Sequence, residues 1–394
     1  DLLGTNVINV TMEAGDATDI TYTGAGSSPV LTLNTGDDTL TFAGYAGQFT
    51  ATNFVISDGT RFLANWNGAA ATLTGSTVAG GDQLVAGSSG DTLVGNAGTD
   101  VLTGGTGNDT IYNASTDNTV DDTHADTISA GAGDDTIYAE AGDAVVGGTG
   151  TDTFRIATTG TIDLDDDTAA AAASNVGSVE NIVVTGGGAV TITSQTDFAL
   201  SSGTTLSVDA SGATAALTFT GAAYTSTINV SAVGGTAADT VTGGNGADTL
   251  SGGGAGDSLI GGAGNDTISI YAEDVQVNAG EGTNKVILAA AAADAVVVTG
   301  SGADTVTSAA AGAAITTGAG IDTVTITGGS NVVDLGIGDD KVTVSGANGA
   351  ITAGAGADNI KITAGADGST VYGGADIDTI SVVGGHALAY GDAG

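Results

Sequence analysis

Between residues 243 and 269 the chain reads GGNGADTLSGGGAGDSLIGGAGNDTIS, placing Asp248, Asp257 and Asp266 nine residues apart and two residues ahead of Leu250, Leu259 and Ile268. Paired carboxylates can serve as general acid and base, as in glycoside hydrolysis, whereas carboxylates in series can ligate hard metal ions. Catalysis needs one special pair, and this pattern recurs along the chain. Its template is GGxGxDxUx, with U a large apolar residue. Clean copies are GGTGNDTIY (104–112), GGTGTDTFR (147–155), GGNGADTLS (243–251) and GGAGNDTIS (261–269), while AGAGDDTIY (130–138) and GGGAGDSLI (252–260) each depart at one glycine.

The carboxylates on this beat are Asp91, Asp100 and Asp109, then Asp126 and Asp135, then Asp143 and Asp152. Their turn glycines are Gly104, Gly107, Gly131, Gly133, Gly148 and Gly150. A second block holds Asp239, Asp248, Asp257 and Asp266, with Gly244, Gly246, Gly253, Gly262 and Gly264. Beyond it, strong copies continue at Asp304, Asp322, Asp340, Asp358 and Asp378, mostly eighteen apart, with Gly302, Gly320, Gly338 and Gly356. Between them, VQV (275–277), AAI (313–315), NVV (331–333) and GAI (349–351) keep an apolar residue on the beat without the aspartate. Two repeats therefore form one coil, and one edge of the later coils keeps its acids while the other has lost them.

Such a repeat requires a six-residue turn followed by a three-residue strand whose central U points inward, because strand side chains alternate. Glycine supplies the backbone freedom of the turn. Coils stack about 4.8 Å apart, so aspartates one coil apart form a ladder. Two such charges repel by roughly 0.8 kcal/mol in water and by more where the dielectric is lower. A divalent cation reverses that sign. Oxygen donors suit Ca²⁺, whereas zinc or copper would favour His or Cys, and the chain has two His and no Cys.

These tandem nonapeptides resemble the RTX calcium-binding family. The resemblance implies an all-β fold, a parallel β-roll or β-solenoid binding several Ca²⁺ ions at the turns named above. Together with strands such as ENIVV and STINV, abundant Thr, Ala and Gly, and few lysines, it extends to calcium-dependent surface-layer proteins of Gram-negative bacteria.

The elements that must position these turns divide the chain into four segments. Residues 1–80 are expected to form a β domain or solenoid cap, holding Arg61, Trp66, Phe42, Phe49, Phe54 and Phe62. Trp66 fits core packing better than binding. Residues 81–155 form the first roll block and 234–394 the second. Residues 156–233 connect them with strands and glycine or serine turns, as further coils or as a small sheet. Asp163, Asp165, Asp166 and Asp167 there stand either in another calcium loop or in a solvated turn before an alanine-rich helical run.

Composition agrees. Hydrophobic residues make up 41% but aromatics 4%, so a thin aliphatic core is expected. A net charge of −40 opposes nucleic acid and anionic lipid surfaces. No apolar run reaches the ~18 residues of a membrane span, so direct membrane insertion is not expected. DLLGTNVINV has no signal-peptide pattern, so export is expected to use information outside this segment or a route without a cleaved leader, such as type I secretion, and the chain is expected to be a fragment of a longer one. No HExxH, GxSxG or phosphate-loop motif occurs, and His124 and His386 are far apart.

The expectation is thus a non-enzymatic, secreted structural protein at the cell surface. Its partners would be copies of itself in a two-dimensional lattice, with cell-surface polysaccharide reached through a region outside this chain. Two alternatives are an adhesin stalk stiffened by calcium and the secretion and folding module of a larger enzyme.

Overall fold

In the computed structural model the described residues are 20–23, 30–35, 38–43, 54–55, 61–65, 69–77, 80–115, 124–157, 159–164, 175–194, 198, 200, 204–221, 228–384 and 386–391. They contain strands, turns and bends and no helix. Trp66, Phe49, Asp165, Asp166, Asp167, the alanine run and the first ten residues lie outside them. The chain divides into two compact units, Asp1–Val183 and Val184–Gly394.

The first unit contains a three-stranded antiparallel sheet, Ile20–Thr23, Val30–Thr35 and Asp38–Ala43. Its solenoid coils are built from two parallel ladders. One runs through Arg61–Ala64, Gln83–Val85, Val101–Thr106, Thr127–Ala132 and Ala144–Thr149. The other runs through Thr72–Thr74, Thr92–Val94, Thr110–Tyr112, Thr136–Tyr138 and Thr153–Ile156. Each ladder pairs residues at the same repeat position, as in Thr110↔Thr136 and Ile111↔Ile137. A strand thus meets its own equivalent one coil away, never the other half of its coil.

The second unit repeats this plan. One ladder passes from Val190–Ser194 and Leu217–Thr220 through Thr240–Gly244, Ser258–Ala263, Gln276–Glu281 and Val296–Val298 toward Leu388–Tyr390. The facing ladder passes from Thr205–Asp209 and Asn229–Val233 through Thr249–Ser251, Thr267–Ile270 and Lys285–Leu288 to Thr379–Val382. The expected all-β parallel solenoid is therefore what the chain forms.

The core follows from strand alternation. The central residue of each three-residue strand points in, so Leu250, Ile268, Val286, Val306, Val324 and Val342 are all fully buried. Their flanking threonines, serines and lysines point out. Each fully buried Val or Leu contributes roughly 1.5–3 kcal/mol. One coil supplies few of these, so stability accumulates only by stacking.

Stacking also dictates the glycines. Gly262 and Gly264 have φ of 117° and 120°. A Cβ on either would strike the carbonyl oxygen of Gly244 or Gly246 in the coil before. At these two columns the turns approach backbone to backbone, and a side chain would hold them apart.

Candidate metal centre

Each repeat aspartate lies at the end of a glycine turn, immediately before its strand, and points into the solenoid edge. Asp91, Asp100, Asp109, Asp126, Asp135, Asp143 and Asp152 in the first unit are buried, as are Asp239, Asp248, Asp257, Asp266, Asp304, Asp322, Asp340 and Asp358 in the second. Asp378, in the last full coil, is half-buried.

The burial has a regular hydrogen-bond cause. The backbone N–H of one aspartate donates to Oδ1 of the aspartate one coil further on. Asp91 donates to Asp109 at 2.6 Å, Asp109 to Asp135 at 2.7 Å and Asp135 to Asp152 at 2.9 Å. The other edge of that unit runs Asp82 to Asp100, Asp100 to Asp126 and Asp126 to Asp143. In the second unit Asp239 donates to Asp257, and Asp248 to Asp266. From Asp304 the series continues through Asp322, Asp340 and Asp358 to Asp378 at 2.7–3.0 Å. The sequence periodicity thus brings the predicted aspartates together as ladders.

Oδ1 accepts this bond, but at many rungs Oδ2 accepts none. Among the described residues, buried Oδ2 of Asp109, Asp135, Asp152, Asp248, Asp257, Asp266, Asp322, Asp340 and Asp358 has no hydrogen-bond partner. In the glycine-first repeats this oxygen lies where a side chain would otherwise be. A Cβ on Gly104 would collide with Asp109 Oδ2 and the carbonyl oxygen of Ala130, and one on Gly261 with Asp266 Oδ2 and the carbonyl oxygen of Ala279. A carboxyl oxygen and a backbone carbonyl oxygen therefore border one small space, and no protein N–H or O–H donates to that carboxyl oxygen at Asp109 or Asp266. At Asp91, Asp143 and Asp239 the second oxygen instead accepts an N–H, from Gly87 at 2.9 Å, Glu140 at 2.8 Å and Gly235 at 2.6 Å, and that of Asp143 also accepts from Asn113 Nδ2 at 3.1 Å.

Protonation responds accordingly. Burial pushes the carboxyls of Asp109, Asp152 and Asp248 up to about 7, and those of Asp257, Asp266 and Asp340 to about 6. The backbone N–H bond to Oδ1 opposes this rise. Neighbouring carboxylates add to it at Asp109 (from Asp135 and Asp91) and at Asp340 (from Asp322 and Asp358). Asp135, Asp239, Asp304 and Asp358 shift upward for the same leading reason. Left to themselves, these groups resist ionising at neutral pH.

The residues present fit a hard divalent cation. Buried oxygens without donors, carbonyls beside them and a raised affinity for positive charge are what Ca²⁺ relieves. No group of three or more His, Cys, Asp or Glu side chains converges among the described residues, so a bound ion would draw on turn carbonyls as well as carboxylates.

The sequence model of the RTX calcium-binding nonapeptide repeat matches residues 76–119, 122–154 and 233–268. The chain carries RTX calcium-binding repeats. These matches cover the clean glycine-first copies in both units. No curated protein matches the chain. Coils after residue 268 lie outside the RTX match, yet continue its ladder geometry through Asp304–Asp378.

Several ladder members are absent from the set predicted by sequence. Asp82 is buried and stands nine residues before Asp91, followed by Gln83-Leu84, so the beat itself marks it. Glu180 ends one ladder, its Oε2 accepting the N–H of Asp152 at 2.8 Å, and the ENI segment carries the same acid-x-apolar signature with a longer acid. Gly105, with φ 95°, is the strained partner of Gly107, whereas Gly104 is the glycine packed against Asp109. Asn284 and Asn331 occupy aspartate positions as amides. Their substitution hides them from a carboxylate search.

Proposed function

We propose that this chain is a non-catalytic, secreted structural segment whose coils fold on calcium and pack with copies of themselves into a bacterial surface layer. The observation that carries the calcium part is the series of buried, donorless Oδ2 atoms in register along the solenoid edges. Asp91, Asp100, Asp109, Asp126, Asp135, Asp143 and Asp152, and Asp239, Asp248, Asp257, Asp266, Asp304, Asp322, Asp340, Asp358 and Asp378, would hold the ions with carbonyls of their glycine turns. Bound Ca²⁺ supplies the positive charge that lets these carboxylates ionise side by side.

Binding only to the folded state, the ion stabilises it by mass action, about 2.7 kcal/mol per independent site at one hundred times its dissociation constant. Where calcium is scarce, as in a cytosol, the ladders repel and the chain stays open for export. Where calcium is abundant, outside the cell, it folds. Assembly is supported by the outward face of the second unit, where Val296, Val298 and Val332 are exposed beside Ala314, Thr316 and Ala350. Exposed aliphatic side chains in adjacent strands make an adhesive face, and the net charge of −40 makes that adhesion depend on bound cations.

Electron microscopy of the purified chain with and without calcium tests this. Ordered sheets only with calcium support the proposal. Isolated rods at high calcium and high protein concentration would favour a stalk, and unchanged particles in both conditions would reject calcium-dependent folding.

A further inference from the structure

In the second unit the acidic ladder contains one rung that is not an acid. Asp266 donates its N–H to Asn284 Oδ1 at 2.9 Å, and Asn284 donates its own N–H to Asp304 Oδ1 at 2.7 Å. Asn284 is buried and sits in register with the aspartates on either side. Since the N–H of Asp266 requires an acceptor, the side-chain oxygen is fixed on that side and the amide nitrogen occupies the place of the aspartate Oδ2.

What that nitrogen touches is informative. Nδ2 donates to the carbonyl oxygens of Thr299 and Gly280, both at 3.3 Å. Thr299 lies one coil beyond Ala279, because Val277↔Val297 and Asn278↔Val298 fix the register. The Ala279 carbonyl is the oxygen that shares the Gly261 space with Asp266 Oδ2. An equivalent carbonyl that faces a bare carboxylate oxygen at Asp266 therefore faces an N–H donor at Asn284.

The opposite edge of the same unit repeats this chemistry. There the aspartate positions after Asp257 are occupied by Val275, Ala295, Ala313, Asn331 and Gly349. Asn331 is buried. Its Oδ1 accepts the N–H of Ala313 at 3.0 Å, and its Nδ2 donates to the carbonyls of Gly328 at 2.9 Å, Ala310 at 3.0 Å and Gly329 at 3.4 Å. Past Asp257, where the aspartate positions of this edge hold no acid, one amide again fills both roles, accepting where Oδ1 accepts and donating to turn carbonyls.

We infer that Asn284 is a cation-free rung, in which the amide NH₂ replaces a bound Ca²⁺, and that it divides the acidic edge into two calcium-binding segments, Asp248–Asp266 and Asp304–Asp378. The inference rests on the proposal that the aspartate rungs bind calcium. It explains why the ladder passes through Asn284 without a gap. An amide closes this rung without a cation, so the joint between the two segments adds no carboxylate repulsion to the folded state.

Two reciprocal variants of the full chain test it, read by equilibrium dialysis against calcium and by melting in EGTA. Asn284→Asp joins the segments: bound calcium rises by at least one ion per chain, and the melting temperature in EGTA falls. Asp322→Asn creates a second cation-free rung: bound calcium falls by at least one, and the melting temperature in EGTA rises. Should Asn284→Asp fail to fold, Asp322→Asn decides alone. Unchanged calcium counts with unchanged EGTA melting in a wild type that does bind calcium overturn this inference only. A wild type that binds no calcium overturns the proposed function itself.

Discussion

The two turn edges of the second unit close the same strands by different physics. On one edge Asp248, Asp266, Asp304, Asp322, Asp340 and Asp358 are stacked as buried acids. On the other, after Asp239 and Asp257, the positions fall to Val275, Ala295, Ala313, Asn331, Gly349 and Ser369. The acidic edge leaves an oxygen without a donor at most rungs and calls for an external cation. The neutral edge closes with internal donors: Asn331 Nδ2 reaches the Gly328 carbonyl of its own turn and the Ala310 carbonyl of the coil before, and the N–H groups of Asp294, Ser330 and Asn348 reach carbonyls of the next coil. Strand pairing and core are common to both edges, so the two differ in turn chemistry alone.

Removing the ligand should break the comparison most severely. Several sites each contributing about 2.7 kcal/mol at one hundred times their dissociation constant sum to the whole stability of an ordinary domain, ~5–15 kcal/mol. In EGTA at pH 7.5 the melting temperature followed by circular dichroism should fall by roughly 20 °C or more, and added calcium should restore it.

A steric lesion comes next. Gly320→Val places a side chain at φ 143° against the Gly302 carbonyl, with its carbon overlapping that oxygen. Loss of more than ~4 kcal/mol is expected, measured by chemical denaturation in saturating calcium, because both backbone strain and coil spacing are affected.

Acidity should sharpen the difference between the edges. Six of the ladder carboxyls, those of Asp109, Asp152, Asp248, Asp257, Asp266 and Asp340, have folded values of about 6 to 7 without metal, above the 3.8 of an ordinary Asp. The metal-free folded state then binds more protons than the unfolded chain, so this contribution is complete below 3.8 and is lost as pH rises through 6 to 7. Metal-free protein should melt higher at pH 5 than at pH 8. With calcium present the ions hold the carboxylates ionised, and this preference for acid should vanish.

On the neutral edge, Asn331→Ala should cost about 1–3 kcal/mol by leaving buried turn carbonyls without a donor, and by the same amount with or without calcium. Denaturation of the variant in both conditions checks this. The equality is what distinguishes it from an aspartate substitution. The smallest effect belongs to the outward strand positions. Lys341→Thr should change stability by under ~0.5 kcal/mol, since the side chain is exposed and its neighbours in register are Thr323 and Asn359.

Much of the fold is legible because its period is covalent. A nine-residue beat with an apolar residue two after each acid fixes turn, strand, coil and core, and the predicted aspartates fall on the ladders the beat implies. Asp82 obeys the same rule and needed only one more step back along it. Glu180 is visible once a longer acid is allowed. Asn284 and Asn331 are harder to read, because an asparagine in a turn is ordinary by composition. Their role depends on which atom of the amide faces the neighbouring coil, and that follows from three-dimensional register. The distinction between Gly104 and Gly105 is hidden for the same reason: adjacent and identical in sequence, one lies against a carboxylate as well as a backbone carbonyl and the other against backbone carbonyls alone.

Amide hydrogen exchange at pH 7.5, with calcium and with EGTA, tests the central claim most directly. The amides to follow are those of Asp322, Asp340 and Asp358, which donate to the next aspartate along the edge. The account predicts strong protection in calcium and its loss in EGTA. Equal protection of those amides in both conditions would contradict it, because the buried carboxylates would then be stable together without a cation.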